Sequence, residues 1–206
     1  MSEISAAVID TLQLMSGWEV LAVVLAIAYL VLAMRENILC WYCAFASTAI
    51  YTVLFWNVSL LMESALNVYY MAMAVYGWYQ WRGGSEQGDG VQITRWSWRS
   101  HLTVFALIAV LSLVSGLLLT EQSTAAWPFV DSFTTWSSVI VTFMVARKVL
   151  ENWLYWIVID AVSVALYFER GLVLTSLLMA AYTIMAVAGY MSWRRHWQGR
   201  DQLAYS

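Results

Sequence analysis

Four stretches of this chain, residues 37–62, 64–81, 102–120 and 171–193, hold no Asp, Glu, Lys or Arg. A helix that crosses a bilayer needs about 20 mostly apolar residues, so runs of this length leave lipid as the natural solvent for most of the chain. Charged residues make up 11% of the whole and hydrophobic ones 62%, where ordinary soluble domains carry about a quarter charged. One proline and ten glycines argue against many short strands and turns, and the runs lack the alternation of a membrane barrel. The fold class expected is therefore all-α integral membrane.

Hydrophobic runs bounded by polar residues predict seven transmembrane helices, near 18–34, 38–56, 60–79, 102–119, 129–146, 153–168 and 172–193. With seven crossings, nine of the ten basic residues share one side: Arg35, Arg82, Arg95, Arg99, Arg147, Lys148, Arg194, Arg195 and Arg200, with Arg170 alone opposite. Orientation follows the placement of Lys and Arg, so this predicts the N-terminus outside and the C-terminus in the cytoplasm. The opening segment, MSEISAAVIDTLQLMSG, lacks the positive region of a cleaved signal peptide, and the first span is expected to be retained. No basic run suggests a nucleic-acid partner.

The one long polar segment, RGGSEQGDGVQITRWSWRS at 82–100, reads as a cytoplasmic linker between two related halves. YMAMAVYGWYQWR at 70–82 matches YTIMAVAGYMSWR at 182–194, with seven identities in thirteen at an offset of 112. A second match sets Glu36, Asn37, Leu39 and Trp41 against Glu151, Asn152, Leu154 and Trp156 at an offset of 115, which implies about three extra residues in the first half. The organisation predicted is an N-terminal three-helix repeat at 1–81, then linker, connector helix and outer loop at 82–128. A C-terminal three-helix repeat at 129–194 and a cytoplasmic tail at 195–206 complete it. One connecting helix makes the repeats parallel, an arrangement used by transporters that bind substrate near the midplane between repeats.

Charged groups inside a span cost about 2.5–3.5 kcal/mol each, so each one needs a reason. Asp160 is the clearest, because it lies well inside the sixth predicted span. Trp156, Asp160, Ser163 and Tyr167 follow at helical spacing and share a face, placing a carboxylate between aromatic rings. The plainer alternative is that Asp160 only ties helices together. In the third span, Glu63, Asn67, Tyr70 and Ala74 share another face that continues towards Trp78, although Glu63 is near enough to the boundary to reach water. The last span sets Thr175, Met179 and Tyr182 at the corresponding positions, so acid and amide belong to one half only. Of the thirteen tryptophans, Trp18, Trp56, Trp96, Trp98, Trp127, Trp193 and Trp197 fit an interfacial belt. Trp78, Trp81, Trp153 and Trp156 remain binding candidates.

Several chemistries find no support. Cys40 and Cys43 have redox-like spacing but sit early in an apolar helix. His101 and His196 have no third ligand nearby in sequence, so no metal is expected. No phosphate-binding glycine loop or hydrolase constellation occurs, and the chain reads as a non-enzyme without a cofactor.

NVSLLMESALNVYYMAMAVYGWYQW at 57–81 and ARKVLENWLYWIVIDAVSVALYFERGL at 146–172 resemble signatures of the PnuC family of bacterial vitamin transporters, with YGWYQW and ENWLYW the most specific parts. The resemblance implies a three-plus-one-plus-three fold like that of the SWEET sugar transporters, and a homotrimer in the bacterial inner membrane. It also implies facilitated diffusion of nicotinamide riboside, with trapping by a cytoplasmic vitamin kinase. Two positions depart from the carriers of that vitamin, which place a Gln where this chain has Asn67 and an Asn where it has Asp160. Relatives of the PnuT type carry thiamine and others riboflavin. Nicotinamide riboside and thiamine each bear a cation on an aromatic ring, for which a carboxylate beside Trp or Tyr is the expected receptor. The substrate-binding set predicted on this basis is Asp160, Asn67, Tyr70, Glu63, Trp156, Tyr167, Trp78, Ser163, Tyr182 and Asn152. The partners expected are a small cationic aromatic vitamin and membrane lipid.

Overall fold

The computed structural model describes residues 16–57, 59, 61–83, 90–122, 127–169 and 171–204. The segment before Ser16, the linker residues 84–89, the loop at 123–126 and Arg170 lie outside the described residues, and with them the expectations attached to the N-terminus and to the lone outer arginine.

Among the described residues the chain forms α1 (Gly17–Met34), α2 (Cys40–Asn57), α3 (Leu61–Gly83), α4 (Trp98–Gln122), α5 (Pro128–Ala146), α6 (Asn152–Glu169) and α7 (Val173–Ala204). Local chemistry sets where they begin. Ser16 caps α1: its Oγ accepts from the Glu19 N–H at 3.3 Å, while the Ser16 N–H donates to the Glu19 carboxylate at 2.6 Å. This reciprocal pair satisfies two otherwise orphaned donors. Pro128 opens α5, where a missing N–H costs nothing.

The chain divides into two compact units, Met1–Val91 and Gln92–Ser206. In the first, α2 packs against both α1 and α3; in the second, α4 packs on α5, α5 on α6 and α6 on α7. The end of the linker is fastened to the second unit. Thr94 forms a parallel bridge with Val149, donating to Lys148 O at 3.0 Å and accepting from Leu150 N–H at 2.8 Å.

The predicted seven-span, three-plus-one-plus-three count is corrected here. Among the described residues four segments are long and apolar enough to cross a membrane: Gly17–Met34, Trp98–Glu121, Pro128–Ala146 and Thr175–Arg200. The other three helices, α2, α3 and α6, are less apolar, and two of them carry the polar stripes. Glu63, Asn67, Gln80 and Arg82 dilute α3, Asn152, Asp160 and Glu169 dilute α6, and α2 mixes Ser, Thr, Tyr and Asn with its apolar residues.

A single offset of 112 relates α1–α3 to α5–α7, so the second match at 115 and its three-residue gap are also corrected. Both first helices end in the same way. Arg35 and Arg147 are the C-caps, with φ/ψ of −94°/7° and −90°/6°. Glu36 and Lys148 then turn left-handed at φ 54° and 49°. Asn37 N–H reaches Leu32 O as Val149 N–H reaches Met144 O, each at 2.9 Å, which is the crossed hydrogen bonding of a Schellman stop. Trp41 therefore answers to Trp153, not Trp156.

That register explains the tryptophans. Trp41 meets Trp81 edge-on at 5.3 Å, and Trp153 meets Trp193 edge-on at 5.4 Å. Gly77 lies under the Trp41 ring and Gly189 under that of Trp153. Trp153 and Trp193 are at most 1% exposed, so Trp193 is core, not interfacial belt, and Trp81 and Trp153 are packing residues. Such ring pairs contribute about 0.5–1.5 kcal/mol beyond their area.

The repeat also exposes one unequal pair. The turn between second and third helices needs a left-handed residue, supplied by Gly171 at φ 75° in one unit and by Ser59 at φ 62° in the other. A left-handed conformation costs a residue with a Cβ about 1–2 kcal/mol, part of which glycine returns through backbone entropy. Ser59→Gly is expected to raise stability by about 0.5–1 kcal/mol, read as a higher midpoint of thermal unfolding in detergent micelles.

Candidate functional site

In the second unit, α6 presents the predicted stripe intact. Asp160 and Ser163 are buried, at 7% exposure each, while Trp156 and Tyr167 on the same face are half-buried. Trp156 packs with Tyr155 against a core of Val141, Met144, Val149 and Ile159, which fixes one end of the stripe. Ser163 donates to Ile159 O at 2.9 Å. No hydrogen bond or ion pair from any described residue reaches the Asp160 carboxylate. A buried carboxylate without a partner is costly, and the arrangement can stabilise a cation that brings its own charge.

Asn152 is fully buried at the start of α6, where its Nδ2 donates to Val149 O at 2.7 Å. It holds the turn into the helix. Tyr182 is half-buried on α7, and Ser176 on the same helix donates to Val164 O of α6 at 2.9 Å, tying α7 to the helix that bears Asp160.

In the first unit, Glu63 is exposed near the start of α3, Asn67 donates its Nδ2 to Glu63 O at 2.9 Å, and Tyr70 leans on Tyr69 at 5.6 Å. Asn67 and Tyr70 are half-buried. Trp78, further along, is engaged by its own unit. Its Nε1–H donates to the Tyr42 hydroxyl at 3.0 Å, and the Arg82 guanidinium lies over its ring at 5.0 Å.

A polar brace stands beside the α6 stripe. Glu151, 8% exposed, accepts from Arg95 Nε at 2.8 Å and from Trp96 N–H at 3.3 Å. His101 Nδ1 and the Tyr155 hydroxyl lie 2.9 Å apart. Donating this hydrogen bond to Glu151 holds the Arg95 pKa above its ordinary value. The brace joins linker, α4 and the start of α6, and so positions Tyr155 and Trp156.

Sequence reasoning passed over Ser132 and Ser137. Both are buried on α5 with hydroxyls that find no partner among the described residues, and Ser137 shares a helical face with Val141 and Met144, which pack against Ile159. Serine inside an apolar helix usually satisfies itself on its own backbone, so only the structure separates these two from the rest. Cys40 is buried and Cys43 half-buried, and the two form no disulfide. Among the described residues no cluster of His, Cys, Asp and Glu could hold a metal ion.

With this geometry in hand, comparison with known proteins is informative. A family model described as nicotinamide mononucleotide transporter matches residues 16–195. The nicotinamide riboside transporter PnuC of Escherichia coli is 25% identical over 200 residues, covering 85% of this chain and 84% of its own. The riboflavin/roseoflavin transporter RibM of Streptomyces davaonensis is 27% identical over 173 residues, covering 82% and 81%. A crystal structure of the vitamin B3 transporter PnuC superposes with a TM-score of 0.69 at 24% identity, covering 92% of this chain and 85% of that one. The all-α multi-pass membrane fold is thus that of the solved PnuC structure, which replaces the SWEET-like class that the family resemblance had implied.

Proposed function

This chain belongs to the nicotinamide mononucleotide transporter family, and on that premise we propose that it carries nicotinamide riboside across the bacterial inner membrane by facilitated diffusion. It is a membrane transporter of a B-type vitamin and not an enzyme. The observation that carries the choice of substrate is Asp160: a buried carboxylate with no protein partner on a face shared with Trp156 and Tyr167. A pyridinium ring supplies the missing positive charge and stacks on an aromatic neighbour. Ser163 and Tyr167 supply polar contacts on the same face. Glu63, Asn67 and Tyr70 give the first unit a polar face of its own, proposed as a vitamin contact, and Tyr182 of α7 is held beside α6. Trp78 and Asn152 serve packing in this reading.

The helix ends that carry Arg and Lys face the cytoplasm in this reading, as their positive charge favours. A cytoplasmic kinase keeps free substrate low, so no ion need be coupled, and the protein works as a homotrimer. A flavin substrate is favoured by the RibM likeness, but a neutral ring would leave Asp160 uncompensated.

Uptake of radiolabelled nicotinamide riboside into proteoliposomes tests this directly. Entry is expected without ATP and without a proton or sodium gradient, saturable and halted when inside and outside concentrations are equal. Accumulation that requires either gradient would overturn diffusion. Calorimetric binding of nicotinamide riboside, thiamine and riboflavin should rank the two cations above the neutral flavin.

A further inference from the structure

In the first unit an apolar groove of about 310 Å³ opens between α2 and α3, lined by Trp41, Tyr42, Phe45, Ala74, Val75 and Trp78. Tyr42, Phe45 and Val75 are exposed along it. The surroundings of Trp78 are different in character. Arg82, itself exposed, lies over the Trp78 ring at 5.0 Å, and among the described residues no carboxylate pairs with it. The Trp78 Nε1–H donates to the Tyr42 oxygen at 3.0 Å, which leaves the phenolic proton of Tyr42 free to donate outward. Beside Trp78 there are therefore a guanidinium and a hydroxyl donor for which the described residues supply no acceptor, and the groove lining is otherwise mostly aromatic and aliphatic. The feature is not dictated by the repeat. The positions equivalent to Tyr42, Phe45 and Trp78 are Leu154, Ile157 and Tyr190, which cannot form the same tyrosine–tryptophan pair.

We propose that this groove is a binding site for an anionic glycerophospholipid, with one acyl chain along Phe45 and Val75 and the phosphate held by Arg82 and the Tyr42 hydroxyl. Charge complementarity selects the occupant. A guanidinium suits phosphate geometry and binds it through several N–H donors, and basic pockets between helices at the membrane–water boundary suit acidic head groups. Trp and Tyr are residues that settle at that same depth. The groove belongs to the first unit and the α6 stripe to the second, and the proposal does not depend on which vitamin is carried.

Native mass spectrometry of the purified protein, titrated with phosphatidylglycerol or phosphatidylcholine, tests the proposal. The wild type is expected to retain phosphatidylglycerol in preference. Arg82→Ala should reduce that preference about fivefold, and Arg82→Lys should keep most of it. Val75→Trp, at an exposed position that tolerates bulk, should fill the groove and abolish retention of both lipids while transport continues. Equal retention of the two lipids by the wild type, or an unchanged preference in Arg82→Ala and Val75→Trp, would sink the idea. So would Val75→Trp altering the oligomer mass without altering lipid binding, which would give the groove to a second copy of the chain. Displacement of the lipid by nicotinamide riboside would likewise assign the groove to the transported vitamin.

Discussion

Asp160→Ala is expected to lower affinity for nicotinamide riboside by about ten- to a hundredfold, since hydrogen bonds and contacts to a charged group contribute about 1.5–3 kcal/mol and each 1.4 kcal/mol is a factor of ten. The same substitution should leave the folded protein at least as stable. Asp160 has no partner among the described residues to lose, and a carboxylate in a membrane helix is itself unfavourable. Asp160→Asn sharpens the test because it keeps shape and removes only charge. Because the resembled nicotinamide riboside carriers place Asn at this position, its loss of affinity for nicotinamide riboside should be smaller than that of Asp160→Ala, and riboflavin should be spared. The measurement is calorimetric binding alongside thermal unfolding in the same detergent. Unchanged binding with reduced stability would return Asp160 to a packing role and leave the substrate proposal without its main support.

Asp160 was legible in the sequence because charge inside an apolar run has few explanations, and its neighbours Trp156, Ser163 and Tyr167 follow from helical spacing alone. The membrane class was legible for the same reason, since a long uncharged run admits few solvents. What was not legible depends on which of several like residues meet. Thirteen tryptophans look alike on paper, and only the pairing of Trp153 with Trp193 across a glycine distinguishes core from belt. The repeat register failed around Trp41 because both halves carry similar polar residues near the same turn. The E-N-x-L-x-W pattern invited a match three residues away from the one that the helix stops define. Ser132 and Ser137 gave no signal, because an unpartnered hydroxyl is a fact about neighbours. The span count erred where polar side chains lower the apolarity of α3 and α6, and where aromatic and hydroxyl side chains lower that of α2.

Gly189→Ala is expected to destabilise the protein by about 1–3 kcal/mol, the usual cost of forcing atoms into a filled interior. Elsewhere in a helix that change would help, because alanine is favoured over glycine by about 1 kcal/mol. The sign reverses at Gly189 because a Cβ there would come within 2.7 Å of the Trp153 ring. That ring is locked edge-on against Trp193 at 5.4 Å and is 1% exposed, so it has nowhere to move. Gly77 under Trp41 should behave alike. Gly199→Ala, further along the same α7 where nothing lies within 4 Å, should instead stabilise by about 1 kcal/mol. A double-mutant cycle with Trp153→Phe separates the causes, since the two sites touch and should not add. Gly189→Ala should cost markedly less once the larger ring is gone. Thermal unfolding of the four proteins in one detergent measures this. If Gly189→Ala proved as benign as Gly199→Ala, close approach of α6 and α7 at the tryptophan could not be what holds the second unit's helices in register.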